Sequence, residues 1–116
     1  MYTLFGIPNC NTVKKARTWL DEHRVAHQFH NYKTEGIAAK ELTEWCRQVG
    51  WQKLVNQKGT TWRGLDEATK AAVTNQTAAV KLMAEHNSVI KRPVMTKGHN
   101  IVAIGFDEAE YGQVFL

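Results

Sequence analysis

The chain opens with an apolar run, residues 2–7, that stops at Pro8. A short run apolar on both alternating faces predicts a strand buried on both sides. Residues 11–24 then place Val13, Ala16 and Leu20 at helical spacing, with Trp19 beside them. That stripe predicts an amphipathic helix. Residues 27–33, with Phe29 and Tyr32, predict a second strand. Strand, helix and strand of these lengths predict a βαβ unit with parallel strands and a right-handed crossover.

Thr34-Glu35-Gly36 breaks the pattern. Residues 37–49 carry Leu42, Trp45, Cys46 and Val49 on one helical face, and Gly50 stops that helix. Residues 51–64 give mixed signals around a loop at 56–59. Helices are predicted over 65–72 and 77–85, with Asp66 and either Thr74 or Asn75 as caps. Residues 94–96 and 101–104 predict a hairpin around Gly98-His99-Asn100. A last helix is predicted over 107–115, capped by Asp107. The expectation is one α/β domain, 1–116, with a mixed four-stranded sheet. A helical insertion at about 37–88 separates a βαβ half from a ββα half. This order, with a cysteine after the first strand and a proline before the third, resembles the thioredoxin fold.

Composition narrows the function classes. The chain has 116 residues, 43% hydrophobic and 22% charged, which is enough for one core and unlike a disordered segment. No apolar run approaches the roughly 20 residues of a membrane span, and no signal peptide pattern opens the chain. Two cysteines make no disulfide framework. Cys10 and Cys46 lack the close ligand spacing of a zinc site, and the five histidines form no ligand cluster. The net charge of +4 is mild and interleaved with acidic residues, so no nucleic-acid footprint is expected. A reducing cytoplasm, no metal and no membrane are the expectations.

The run GIPNCNTVKKA, Gly6 to Ala16, holds the candidate chemistry. Cys10 stands where a strand turns into a helix. Two readings stay open on the residues alone. A free cysteine is often a small buried apolar residue. At a helix N-terminus, followed by Lys14, Lys15 and Arg17, it is instead placed to become a thiolate. Asn11 and Thr12 would bring backbone N–H groups to that anion, or simply cap the helix. Cys46, on the face of Leu42 and Trp45, reads as core.

The same run resembles the arsenate-reductase-related ArsC/Spx/YffB family, together with Lys91-Arg92-Pro93-Val94, Gly59-Thr60-Thr61-Trp62-Arg63, and Ile104-Gly105-Phe106 followed by Tyr111 and Phe115. The resemblance spans essentially the whole chain and is nearest the YffB-type branch. It implies a thioredoxin fold with a helical insertion, and Cys10 as the redox cysteine. It implies that Arg92 and Pro93 face the thiol, with a cis bond before Pro93. Asn11, Thr12, Lys14 and Arg92 are then the expected thiolate- or anion-stabilising residues, and Pro93 and Arg63 the expected substrate-binding ones.

The departures from the family are informative. The glutathione-coupled arsenate reductases resemble a His-Asn-Pro-x-Cys-x-x-Ser pattern, where this chain has Gly6, Ile7 and Val13. Of their three arginines only Arg92 has a match, with Arg63 as a possible spatial substitute. The redox regulators of the family resemble Cys-x-x-Cys, where Val13 again intervenes. The function expected is a cytoplasmic, glutathione-dependent thiol-disulfide reductase with one catalytic cysteine. No cofactor is expected to be bound. Glutathione is the expected co-substrate, a small thiol or disulfide the substrate, glutaredoxin a further candidate partner, and a monomer the expected state. Two alternatives stay open: a glutathione/glutaredoxin-coupled arsenate reductase, and a non-enzymatic Spx-like regulator that binds RNA polymerase.

Overall fold

The computed structural model describes residues Met1–Leu116. In chain order it begins with β1 (Tyr2–Gly6), α1 (Asn11–Glu22), β2 (His27–Asn31) and the single-turn α2 (Tyr32–Glu35). Five helices follow: α3 (Ala39–Val49), α4 (Trp51–Leu54), α5 (Thr60–Arg63), α6 (Glu67–Ala72) and α7 (Gln76–Glu85). A 3-10 turn, Asn87–Val89, leads to β3 (Val94–Lys97), β4 (Asn100–Ile104) and α8 (Glu108–Phe115). The chain divides into two compact units, one of Met1–Glu35 with Arg92–Leu116, the other of Gly36–Lys91.

The first unit is an α/β structure with a thioredoxin-like sheet of order β2-β1-β3-β4. β1 and β2 run parallel, with Tyr2 opposite His27 and Gly6 opposite Asn31. β3 is antiparallel to β1, with Phe5 opposite Val94. β4 is antiparallel to β3, and the register shifts between Met95 and Thr96. These registers bring the ends of β1, β2 and β4 and the start of β3 to one edge of the sheet. Cys10, Tyr32, Pro93 and Gly105 all belong to the segments that leave or enter there.

One face of this sheet is buried by α1 and α8. Leu4, Met95 and Ala103 pack with Val13, Ala16, Trp19 and Leu20 of α1 and with Tyr111 of α8. Edge-on aromatic pairs close the cluster: Trp19–Tyr111 at 5.5 Å and Phe106–Tyr111 at 4.9 Å between ring centroids. Each large side chain buried in this way contributes about 1.5–3 kcal/mol. Cys10 and Phe106 lie at the margin of the cluster.

The second unit is helical. The predicted face of α3, Leu42, Trp45 and Cys46, is buried, as are Ala79, Val80, Leu82 and Met83 of α7. Asp66 and Asn75 cap α6 and α7, accepting from the N–H groups of Thr69 (2.7 Å) and Ala78 (2.9 Å). A short antiparallel bridge joins Val55 to Ile90.

Three elements differ from the sequence reading. The strand expected over 27–33 ends at Asn31, because Tyr32 opens α2. Asn31 Oδ1 accepts the Lys33 N–H at 2.9 Å, and Glu35 Oε2 accepts the Asn31 N–H at 3.0 Å. Local polar side chains here take backbone groups that a longer strand would need. The helix expected over 11–24 ends at Glu22. Arg24 adopts φ 56°, the Val25 N–H reaches the Leu20 carbonyl at 2.9 Å, and the Arg24 N–H reaches that of Asp21 at 3.1 Å. That pair of bonds is a Schellman stop. The mixed segment 51–64 forms two single-turn helices, α4 and α5. No helix is long and apolar enough to cross a membrane.

Candidate functional site

Cys10 is the N-cap of α1. Its backbone is extended (φ −142°, ψ 123°), and its carbonyl accepts the first helical bond, from the Lys14 N–H at 2.9 Å. An N-cap side chain faces the N–H groups of the second and third helical residues. Here those are Thr12 and Val13. The Cys10 side chain makes no capping hydrogen bond of ordinary geometry.

Burial pushes the Cys10 thiol up. The Val13 N–H, the Arg92 guanidinium through hydrogen bond and charge, and the Thr12 N–H together outweigh burial, so the net direction is down. The thiol is partly exposed. It therefore combines the two requirements of a reactive cysteine, access and a favoured anion. Cys46 is the opposite case: it is buried, and burial pushes its thiol up.

The approach of α1 to β1 depends on Gly6. A Cβ built there would lie 2.8 Å from Cγ2 of Val13. Two of the three positions at which this chain departs from the arsenate-reductase pattern, 6 and 13, therefore pack against each other. A residue without a side chain at one admits a branched side chain at the other. The residue that packs against Gly6 is thus also the one whose N–H acts on Cys10.

Arg92, the cation that acts on the sulfur, lies just before β3. The Arg92–Pro93 bond is cis. The Pro93 carbonyl accepts the Gly105 N–H at 2.8 Å, which ties the end of β4 to the proline. Gly105 has φ 78°, a conformation that side chains rarely adopt.

The basic residues after Cys10 divide their duties. Arg17 lies over the Phe29 ring, 4.3 Å from its centroid. Lys14 and Lys15 line a groove along α1, and Arg92 is the cation acting on the sulfur. Asn11 opens the helix. Arg63 belongs to the second unit, where its Nη2 donates to the Lys58 carbonyl at 2.6 Å. No group of three or more His, Cys, Asp or Glu side chains is arranged to hold a metal ion.

Sequence reasoning missed three features. The sequence gives Val13 a place in the core and at the family's Ser or second Cys position, whereas the capping rule, counted from Cys10, also points to its N–H. The sequence pattern places Tyr32 as a strand aromatic. It is buried, its hydroxyl has no hydrogen-bond partner, and burial pushes its ionisation up while the charge of Arg92 pulls the other way. Thirdly, α1 and the start of α8 enclose a groove of about 670 Å³. Thr12, Lys14, Lys15, Thr18, Trp19 and Glu22 line one side, and Phe106, Asp107 and Glu108 the other. Thr12, whose N–H acts on the sulfur, lines it, while Cys10 itself does not. No sequence pattern announces a groove between segments so far apart in the chain.

Fold and site together define a thioredoxin-like protein with a partly exposed, anion-favouring cysteine at the head of its first helix. The sequence profile of the ArsC family matches residues 5–114, and the chain belongs to that family. A solved structure described as the YFFB protein is 46% identical over all of both chains, with a TM-score of 0.93. The solution structure of an arsenate reductase (ArsC) related protein from Brucella melitensis is 39% identical, with a TM-score of 0.77, covering 98% of this chain and 93% of that one. The global transcriptional regulator Spx of Streptococcus mutans is 28% identical, covering 95% of this chain and 80% of the regulator.

Proposed function

We propose that this protein is a thiol-disulfide oxidoreductase that uses Cys10 alone and takes glutathione as its second thiol. The observation that carries this reading is the pairing of a partly exposed Cys10 with three groups that favour its anion: the Thr12 and Val13 N–H groups and Arg92. The thiolate, not the thiol, attacks disulfides. In the first step Cys10 Sγ⁻ attacks one sulfur of R–S–S–G. The old S–S bond breaks, the leaving sulfur departs as R–S⁻, and Cys10 is left in a mixed disulfide. In the second step a glutathione thiolate attacks that adduct, giving oxidised glutathione and restoring the Cys10 thiolate. Arg92 serves the anion in both resting and leaving forms, and Pro93 borders the bound disulfide. Val13 stands where a local resolving cysteine would be, which is why an external thiol is needed.

The similarity to Spx supports a second reading, a regulator that binds RNA polymerase. The arsenate reading is weaker, because a tetrahedral oxyanion calls for several preorganised charged donors, and one arginine, Arg92, acts at Cys10. Treatment with oxidised glutathione, followed by intact-mass analysis and peptide mapping, separates these readings. The expected product carries one glutathione, on Cys10, and is cleared by added glutathione. An adduct on Cys46, or a Cys10–Cys46 disulfide in its place, would refute the one-cysteine reaction. A stable adduct that glutathione fails to clear would favour the regulator.

A further inference from the structure

The groove along α1 is larger than the proposed chemistry of Cys10 requires. From Thr12 to Glu22 the helix advances ten residues, about 15 Å at 1.5 Å per residue. That matches roughly four to five residues of extended chain at about 3.3 Å each. Glutathione has only a single residue on either side of its cysteine. The groove, about 670 Å³, is therefore long enough for a polypeptide segment.

Its lining offers both apolar and polar contacts along its length. Trp19 and Phe106 supply an aromatic floor, and the hydroxyls of Thr12 and Thr18 add polar points along it. Its two ends differ in charge: the Cys10 end carries both signs, the far end only Glu22. Lys14 and Lys15 lie on the first turns of α1, near Cys10, and Glu22 lies on the last turn. Asp107 and Glu108 make the α8 wall acidic, although one oxygen of Asp107 is already used to accept the Glu110 N–H. A strictly anionic ligand fits this sequence of charges poorly. A chain with a basic residue four to five positions from its cysteine fits the far end, where Glu22 stands, well.

We infer that the groove seats the polypeptide flanking the cysteine of a protein mixed disulfide, so that the substrate is a glutathionylated protein or peptide rather than a small disulfide alone. This inference rests on the thiol-disulfide reading above. The reaction is the one already balanced, with the protein as leaving group. Cys10 Sγ⁻ attacks the glutathione sulfur, and the protein departs as its thiolate. Cys10 keeps the glutathione until a second glutathione removes it as oxidised glutathione. The groove holds the leaving chain at the head of α1 while its sulfur departs.

The test uses the full-length protein and synthetic peptides glutathionylated at a single cysteine. Each peptide carries either lysine or glutamate four to five residues from that cysteine, on the N-terminal or the C-terminal side. The mixed disulfide of glutathione and cysteine serves as the short reference. Oxidised glutathione formed is followed through glutathione reductase, and kcat/KM is compared. On one side of the cysteine, the lysine peptide should be preferred over the glutamate peptide by roughly two- to fivefold, the size of an exposed ion pair. Glu22→Lys should reverse that preference, with circular dichroism showing whether α1 survives. If the short reference turns over but neither length nor charge of the peptide matters, the groove is not the substrate site, while the chemistry of Cys10 stands. If no disulfide is reduced, the thiol-disulfide reading fails and takes this inference with it.

Discussion

At Cys10, two N–H groups and one guanidinium overcome a burial that by itself would hold the proton on sulfur. The rate of iodoacetamide alkylation, measured against pH on Cys46→Ala protein, should inflect below the roughly 8.5 of a free thiol. Arg92→Ala should move the inflection upward, since it removes both a hydrogen bond and a charge from the anion. Lys14→Ala should move it less, because Lys14 faces the α1 groove. An inflection at or above about 8.5 in the Cys46→Ala protein would remove the basis for a reactive Cys10. Cys46 has no such partners. It is 4% exposed among apolar neighbours, so Cys46→Ala should cost about 1 kcal/mol of stability, seen as a lower urea midpoint, and leave glutathionylation of Cys10 in place.

Among the elements, the contact of β1 with α1 carries the most consequence. Gly6→Ala would drive a methyl into Cγ2 of Val13. Overpacking of this kind costs about 1–3 kcal/mol. Val13→Ala removes the obstruction but leaves a void of its own. The double variant should therefore be less destabilised than the sum of the two single variants by about 1 kcal/mol. Simple additivity in urea unfolding would mean that the two positions do not press on each other. The same substitution should slow alkylation of Cys10, because displacing α1 moves the Thr12 and Val13 N–H groups off the sulfur. At the other end of α1, Arg24 holds a left-handed backbone that glycine adopts without cost. Arg24→Gly should raise the thermal midpoint by a few degrees, corresponding to about 1 kcal/mol.

For the whole molecule, the two thiols oppose each other in pH dependence. The native state favours the Cys10 anion, so between its lowered pKa and about 8.5 the unfolded chain binds a proton that the native chain does not. Stability contributed by Cys10 therefore rises with pH through that window. Above about 8.5 the unfolded chain loses the Cys46 proton while the buried native thiol keeps it, so this contribution falls. The buried Tyr32 and Tyr111 extend the fall above about pH 10, since burial raises both in the native state. Thermal midpoints from about pH 6 to 10 should show the rise vanish in Cys10→Ser and the first part of the fall vanish in Cys46→Ala. Curves unchanged by Cys10→Ser would contradict a favoured native thiolate.

Local pattern was enough for most of the elements. The 3.6-residue stripe of Val13, Ala16 and Leu20, the apolar strand before Pro8, the hairpin at Gly98 and the caps Asp66, Asn75 and Asp107 involve residues within a turn or two of each other. Hydrogen bonding and burial at that range leave a direct mark on residue order. The same range placed Cys10 at a helix N-terminus, and residue resemblance paired it with Arg92. Where the local competition was close, the reading slipped, as at Tyr32, where Asn31 and Glu35 drew the backbone out of the strand. What tertiary structure alone decided depends on distances between segments remote in sequence. These are the 2.8 Å fit of Gly6 to Val13, the choice of Arg92 over Lys14 and Lys15 as the cation on the sulfur, the burial of the Tyr32 hydroxyl, and the groove that α1 and α8 enclose. Charge and packing act through space. A lysine four residues from a thiol along a helix can face away from it, while an arginine eighty-two positions on, brought back by a sheet strand, takes its place.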